Sequence, residues 1–269
     1  MIAPVELPAA FDPFAKGSTT VLALLGLRIS GLVLIAPVFS AKPIPAHLKM
    51  GLIILLTILL QPAARLHAAP NVSLNFATAF SESMIGFAIG LGAALLVGAA
   101  DAAGELIAVQ TGLSGAAILD PLTMQQGPAL GQFTNFFAVT LLLALDAHIV
   151  MLDAIATSAR VMPVGASFDL ANGARAMVGT GSQLFILGLR FAAPVIAVVL
   201  IANVALAILS RAAPQLNILS VAFPLQIGAG LIAFAGTIPM IALFFNGWTN
   251  FYESVLTHSL GAFTASVVR

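Results

Sequence analysis

Long apolar runs are the main pattern along this chain. The segments 83–100, 191–210 and 218–245 contain no ionisable side chain. A helix that crosses a membrane needs about 20 mostly apolar residues, and each run is close to that length or longer. The pattern therefore predicts three membrane-spanning helices.

Three further segments are apolar but contain ionisable side chains. They are 18–39 with Arg28, 47–64 with His47 and Lys49, and 129–152 with Asp146 and His148. A charge at the centre of a lipid-exposed helix costs about 2.5–3.5 kcal/mol, so these side chains are expected to face protein or water. In total we predict an all-α, polytopic membrane protein with about six apolar helices.

Prolines interrupt several of these segments, at Pro37, Pro194, Pro224 and Pro239. Each proline removes a helix hydrogen bond and bends the axis. Broken helices at membrane depth are tolerated where other protein or a watery cavity satisfies the freed backbone. We therefore expect kinked helices that wrap around partners.

Composition agrees with a membrane location. Of 269 residues, 60% are apolar and 7% are charged, whereas a soluble domain carries about a quarter charged residues. The net charge of zero gives no sign of nucleic-acid binding, and the lack of cysteine excludes disulfides and thiolate metal sites. Basic residues are too evenly distributed to orient the chain by the positive-inside rule.

The two ends of the chain differ from its middle. Residues 1–17 place Glu6 and Asp12 before any basic residue, which is unlike a signal peptide and predicts a short mature tail. Residues 18–246 form the predicted helical domain. In 247–269, apolar residues recur near helical spacing opposite polar ones, which predicts an amphipathic helix. This helix is expected to lie at the membrane surface, dock a partner, or pack as an ordinary terminal helix.

Small residues recur every four positions along one predicted helix, where Glu82 is followed by Gly86, Gly90, Ala94 and Gly98. Small residues at this spacing let two helices approach closely in lipid. The stripe predicts close packing within one bundle or, because Glu82 ends it, an interface between chains.

Candidate chemistry is sparse. Asp146 and Asp153 share a helical face while His148 points elsewhere, so we expect no metal site there and a histidine satisfied by a helix neighbour. Asp101 and Glu105 share a helical face and either cap a helix end, relay protons or bind a cation, and capping is favoured. No nucleotide-binding or hydrolase motif occurs. The chain is predicted to be no enzyme and to need no cofactor.

One polar, irregular segment lies near the middle of the chain. Residues 104–128 hold four glycines, three glutamines, two prolines and two acids. This composition is unlike that of a membrane-spanning helix and predicts irregular backbone.

Four stretches together resemble one family. They are RISGLVLIAPVFS (28–40) followed by Ile44-Pro45 and Lys49, AGELIAVQTGLSGAAILDP (103–121), His148 with the Pro163–Gly165 turn, and SRAAPQLNILSVAFPLQIGAG (210–230). In this order and spacing they resemble the FliR family of flagellar export-gate proteins, whose relatives serve in virulence type III secretion.

The resemblance implies an all-helical fold of bent hairpins, assembled helically with FliP and FliQ subunits and associated with FlhB. It implies a place in the bacterial inner membrane, within the flagellar basal body, where unfolded flagellar proteins would pass through the gate. Gln110 to Ser114 look like the flagellar version of the motif, and the equivalent virulence subunit is the alternative. Ala108 departs from the acidic or hydroxyl residue that many members carry.

The resemblance also implies roles for individual residues. The plug that closes the pore would include Gln110, Thr111, Gly112, Leu113, Ser114, Gly115, Asp120 and Pro121. Packing between subunits would involve Arg28, Pro37, Glu82, Gly86, Gly90, Arg211, Pro214, Gln215 and Asn217. Glycines would let a plug pack in a narrow lumen, and its polar groups would satisfy irregular backbone.

Two other classes compete with this interpretation. A secondary transporter would use Glu82, Asp101 or Glu105 as intramembrane acids, but such folds usually show two related halves and no convincing internal repeat is found. A membrane-embedded enzyme would need an assembled acid, base and nucleophile, and none is found.

Overall fold

The structure is a computed structural model that describes residues 18–41, 43–69, 72–114, 129–166, 169–215 and 217–264. The described residues form α-helices and connecting turns, without a β-strand. The helices are α1 Ser18–Ile35, α2 Pro37–Ser40, α3 Ala46–Leu66, α4 Phe76–Gln110, α5 Ala129–Ala144, α6 Ala147–Val161, α7 Leu170–Ala212, α8 Ile218–Asn246 and α9 Trp248–Thr264.

Among the described residues, five helices are long and apolar enough to cross a membrane, and α5 with α6 makes a sixth if the pair counts as one broken span. The prediction of an all-α protein with about six apolar helices is thus confirmed. The third charged segment, 129–152, is not one continuous helix. It breaks at Leu145 and Asp146, where Asp146 adopts a left-handed backbone with φ of 54°.

The prolines occupy two kinds of position, the start of a helix and the interior of a helix. Pro37 begins α2 after a break at Ala36, since a proline at the first turn needs no hydrogen-bond partner for its nitrogen. Pro194 lies within α7, and Pro224 and Pro239 lie within α8. A further interior proline occurs at Pro62 of α3.

The chain divides into two compact units. The first comprises residues 1–94, 146–180 and 249–269, and the second comprises 95–145 and 181–248. The helices α4 and α7 each contribute to both units.

In the first unit, α1 packs closely on α4 through glycines. A side-chain carbon added at Gly31 would lie 2.6 Å from the carbonyl oxygen of Ser83, and one at Gly86 would overlap the carbonyl of Arg28. One at Gly90 would lie 3.2 Å from the Leu32 oxygen. The small-residue stripe of α4 is therefore used within the chain, and a role between chains stays a prediction.

The helix α9 packs on α4 in the same unit. Tyr252 is fully buried, and its hydroxyl donates to the carbonyl of Ile89 at 3.0 Å. Gly92 leaves room for the Tyr252 ring, because an added carbon would lie 2.8 Å from the ring. Burial raises the pKa of Tyr252 above its ordinary range, so the hydroxyl stays neutral and continues to donate.

In the second unit, the last part of α4 contacts both α5 and α7. An added carbon at Gly104 would lie 2.7 Å from the carbonyl oxygen of Leu130 in α5, and one at Gly188 in α7 would lie 3.3 Å from that of Ala99. Phe191 and Phe244 join α7 to α8 edge to face, with ring centroids 5.1 Å apart.

Large apolar faces remain exposed on the described helices. Only 17% of the most apolar stretch of α3 is buried, and 22% of that of α7 and of α8. Such faces require lipid or protein around them.

Candidate functional site

The last helical residue of α4 is Gln110, which a capping turn at residues 111–114 follows. Gly112 has a φ of +78°, and its amide donates to the carbonyl of Val109 at 3.2 Å. A left-handed residue just past a helix is commonly glycine, because other residues pay a steric penalty there. Gly112 therefore ends α4. The prediction of irregular backbone over 104–128 is wrong for residues 104–110, because they form the last part of α4.

Thr111 fixes the capping turn against α8. Its side chain is buried, and its hydroxyl donates to the carbonyl of Ile107 at 2.8 Å. Its methyl group fills a notch at Gly230, where any added side-chain carbon would overlap it. Val199 of α7 borders the same notch. The glycine at position 230 is thus needed for the threonine to dock.

Two side chains of α8 face Gly112. A carbon added at Gly112 would lie 3.6 Å from the Phe223 ring and 3.9 Å from the amide oxygen of Gln226. The Gln226 amide nitrogen donates to the side-chain oxygen of Asn203 in α7. An amide pair among apolar helices satisfies polar atoms that would be costly to leave unpaired, so it holds Gln226 in place beside the turn.

These contacts add Asn203, Phe223, Gln226 and Gly230 to the candidate site. The resemblance assigned none of them to the plug, although Phe223, Gln226 and Gly230 lie in the quoted stretch 210–230. The resemblance of stretch 210–230 to the family was the feature of the sequence that could have pointed to these three residues. Asn203 could have been noticed as an amide inside an apolar run.

The acids Asp101 and Glu105 lie further back along α4, beside α5. A carbon added at Gly131 would lie 3.1 Å from Glu105 Cγ and 3.4 Å from Asp101 Oδ1. The prediction that these acids cap the helix is wrong, because α4 continues through both and ends at Gln110.

A buried ionic cluster joins three helices of the first unit. The Arg28 Nε of α1 donates to Glu82 Oε2 of α4 at 2.6 Å, and both side chains are fully buried. Arg28 also donates to Ser158 Oγ of α6 at 3.0 Å and to the Met162 carbonyl at 3.1 Å. Glu82 Oε1 accepts the Gly165 amide at 2.8 Å. We call Arg28, Glu82, Ser158, Met162 and Gly165 the Arg28 cluster.

The other predicted packing residues lie in two places. Gly86 and Gly90 contact α1, and Pro37 begins α2. Arg211, Pro214, Gln215 and Asn217 are exposed around the connection between α7 and α8. The structure thus brings Arg28, Glu82, Gly86 and Gly90 together in the first unit, and the second set belongs to the second unit. A role for either set between subunits stays a prediction.

The remaining plug residues are only partly described. Gln110, Leu113 and Ser114 are half-buried, whereas Gly115, Asp120 and Pro121 lie outside the described residues. The buried Ser114 Oγ has no hydrogen-bond partner in the described chain.

The expected partner of His148 is not found. Its Nδ1 is buried and has no hydrogen-bond partner among the residues described, so the prediction that a helix neighbour satisfies it is wrong. Asp146 and Asp153 are exposed. Within the described ranges, no group of three metal-ligating side chains occurs.

Comparison with known proteins gives a consistent result. Residues 19–251 match the family described as bacterial export proteins, family 1. Flagellar biosynthetic protein FliR of Pectobacterium carotovorum subsp. carotovorum is 34% identical over 219 residues, which cover 81% of this chain and 84% of that protein.

Two further relatives carry the same name. The protein from Escherichia coli strain K12 is 32% identical, and the match covers 81% of this chain and 84% of the relative. The protein from Bacillus subtilis strain 168 is 30% identical, with coverage of 78% and 82%.

The Arg28 cluster predicts a specific pattern of stability. Arg28→Met leaves the Glu82 carboxylate buried without its cation, which costs about 3–5 kcal/mol. The double variant Arg28→Met with Glu82→Leu removes both charges and should be more stable than the single variant, because apolar replacement of a buried pair is often neutral. The measurement is the temperature at which the monodisperse protein is lost in mild detergent. A double variant as unstable as the single one would contradict this account.

The Gly230 notch predicts how the capping turn is held. In a Ser114→Cys background, which carries a single thiol because the natural chain has no cysteine, Gly230→Val should expel Thr111 and speed thiol labelling. Overpacking by the valine costs about 1–3 kcal/mol, and this corresponds to thiol labelling at position 114 that is roughly 5- to 150-fold faster.

The matched control is Gly228→Val on the same helix, where an added carbon meets nothing within 4 Å. Its labelling rate should equal that of the background. Equal rates in the Gly228 and Gly230 variants would show that the notch does not hold the turn.

Proposed function

Because the chain belongs to the bacterial export proteins of family 1, we propose that it is a pore-forming subunit of the flagellar type III export gate. It would act in the inner membrane, within the flagellar basal body, and unfolded flagellar proteins would pass through the gate. The names of the relatives support the flagellar assignment. The candidate membrane spans support the membrane location.

The proposed partners are FliP-, FliQ- and FlhB-like subunits. The exposed apolar faces of α7 and α8 are compatible with such neighbours, since most of each apolar stretch is exposed in the isolated chain. The predicted packing residues around the α7–α8 connection, including Arg211 and Gln215, are exposed and accessible to them.

Residues about 110–121 are proposed to contribute to the plug of the pore. The observation that carries this proposal is the anchoring of the capping turn. Thr111 fills the Gly230 notch and Gly112 lies beside Phe223, so the start of the segment has a defined position. The anchor consists of a methyl contact, an aromatic contact, the hydrogen bond of the Thr111 hydroxyl and backbone hydrogen bonds, without an ion pair in the described turn. Such contacts are weak enough individually to be released when a chain passes.

The proposal also gives roles to the individual residues. Gly112 would let the segment turn away from α4, because its positive φ suits glycine. The amide pair of Gln226 and Asn203 would keep the Phe223 face in position while the turn moves. No reacting group is required, since the proposed work is passage and closure.

The decisive experiment uses the native host with its gene deleted. Secretion of hook and flagellar filament proteins into the medium should be lost in the deletion strain and restored by the wild-type gene. A variant lacking residues 111–117 should assemble but make the membrane leaky, as measured by potassium efflux and a membrane-potential dye.

Gly228→Ala provides the control, because its position is open and its helix keeps its length. It should neither leak nor lose secretion. Secretion that persists without the gene would refute the export role, whereas an unchanged leak in an assembled 111–117 deletion would refute only the plug.

A further inference from the structure

The helices α6 and α9 leave a groove of about 350 Å³ between them, within the first unit. Concave binding sites span about 300–1,000 Å³, so the groove is large enough to accept side chains of another molecule. Its apolar walls are formed by Val150, Ala154 and Val161 of α6 and by Leu256 and Leu260 of α9.

The floor of the groove is fixed from below. Ser158 belongs to the Arg28 cluster, where its Oγ accepts from Arg28 and donates to the carbonyl of Ile155. Tyr252 donates its hydroxyl to the Ile89 carbonyl. Both polar side chains are therefore engaged inward, and the floor offers an occupant mainly apolar surface.

The charged residues of the lining have a single sign. Asp153 lies on the α6 side and Glu253 on the α9 side, and both are exposed. Neither has an ion-pair partner in the described part of the chain. Among the residues that the structure describes, no lysine or arginine lines the groove, and the basic residue Arg160 of α6 lies outside the lining.

This charge pattern selects among occupants. An anionic lipid headgroup or an acidic peptide would be repelled by the two carboxylates, and like-charge juxtaposition suppresses wrong partners. An apolar segment with one lysine or arginine would bury its apolar side chains and pair its charge at the rim. Aspartate and glutamate at the rim would then set the register of the bound segment.

We propose that the groove between α6 and α9 docks an apolar segment that carries a lysine or arginine, supplied by another subunit of the assembly. This goes beyond the proposed function, because it concerns a specific assembly contact and not passage through the pore. A contact here would lie directly over Ser158 and so next to the Arg28 cluster.

The test begins with a photoreactive benzoylphenylalanine at Thr257, which is exposed and lines the groove. The full-length protein is expressed in its host, irradiated in native membranes, and the cross-linked peptide is sequenced by mass spectrometry. The expected product is an apolar peptide with a lysine or arginine, from a different chain. The same probe at Asn250, which is exposed on α9 outside the groove, is the control.

Charge reversal then tests the recognition itself. Asp153→Lys with Glu253→Lys should lower the Thr257 cross-link by about 5- to 30-fold, and a glutamate in place of the basic residue of the captured peptide should restore it. Asn250→Lys adds a charge to the same helix and should leave the yield unchanged.

Three results would overturn the proposal: a cross-link to lipid, a cross-link to a second copy of this chain, or a yield no higher than at position 250. Insensitivity of the cross-link to charge reversal would also overturn it. Because secretion by the wild-type strain is scored separately, each of these failures is distinguishable from a failure of the export role.

Discussion

The buried ion pair between Arg28 and Glu82 is the interaction on which the first unit depends. Two charges removed from water are tolerated only when their remaining hydrogen-bonding atoms are satisfied. Here those atoms reach Ser158, the Met162 carbonyl and the Gly165 amide. The pair therefore fixes α1, α4, α6 and the turn after α6 at once, which helix packing in lipid alone would specify less strongly.

Glycine makes close contact possible in both units, but only the contact in the first unit has an ion pair beside it in the described residues. At Gly86 the missing side chain lets α1 and α4 approach beside the ion pair, and the contact is reinforced by charge. At Gly230 the missing side chain receives the methyl of Thr111, and the contact is reinforced by dispersion and by the hydrogen bond of the Thr111 hydroxyl, without an ion pair in the described turn. Under the proposed function, the contact at Gly86 would belong to a permanent frame and the contact at Gly230 to a segment that can be released, and the ion pair would make the difference.

Much of this fold could be predicted from hydropathy, because long apolar runs have few alternatives to a membrane helix. The break at Asp146 could not, since a left-handed residue without glycine leaves no clear mark in a sequence. The Arg28–Glu82 pair joins residues 54 positions apart, and periodicity within one helix carries no information about such partners. At the candidate site, the sequence motif was enough to predict Gly112 as a site residue. The docking of Thr111 on Gly230 could not be predicted, because it depends on how α4 and α8 pack.

The central claim is that this chain works as one subunit of a heteromeric export gate. Native mass spectrometry of the tagged protein, expressed from its own operon and extracted in mild detergent, tests that claim most directly. We expect a stable complex that contains one copy of this chain together with FliP- and FliQ-like subunits. A lone monomer or homodimer that survives extraction and is recovered from cells with active secretion would contradict the claim.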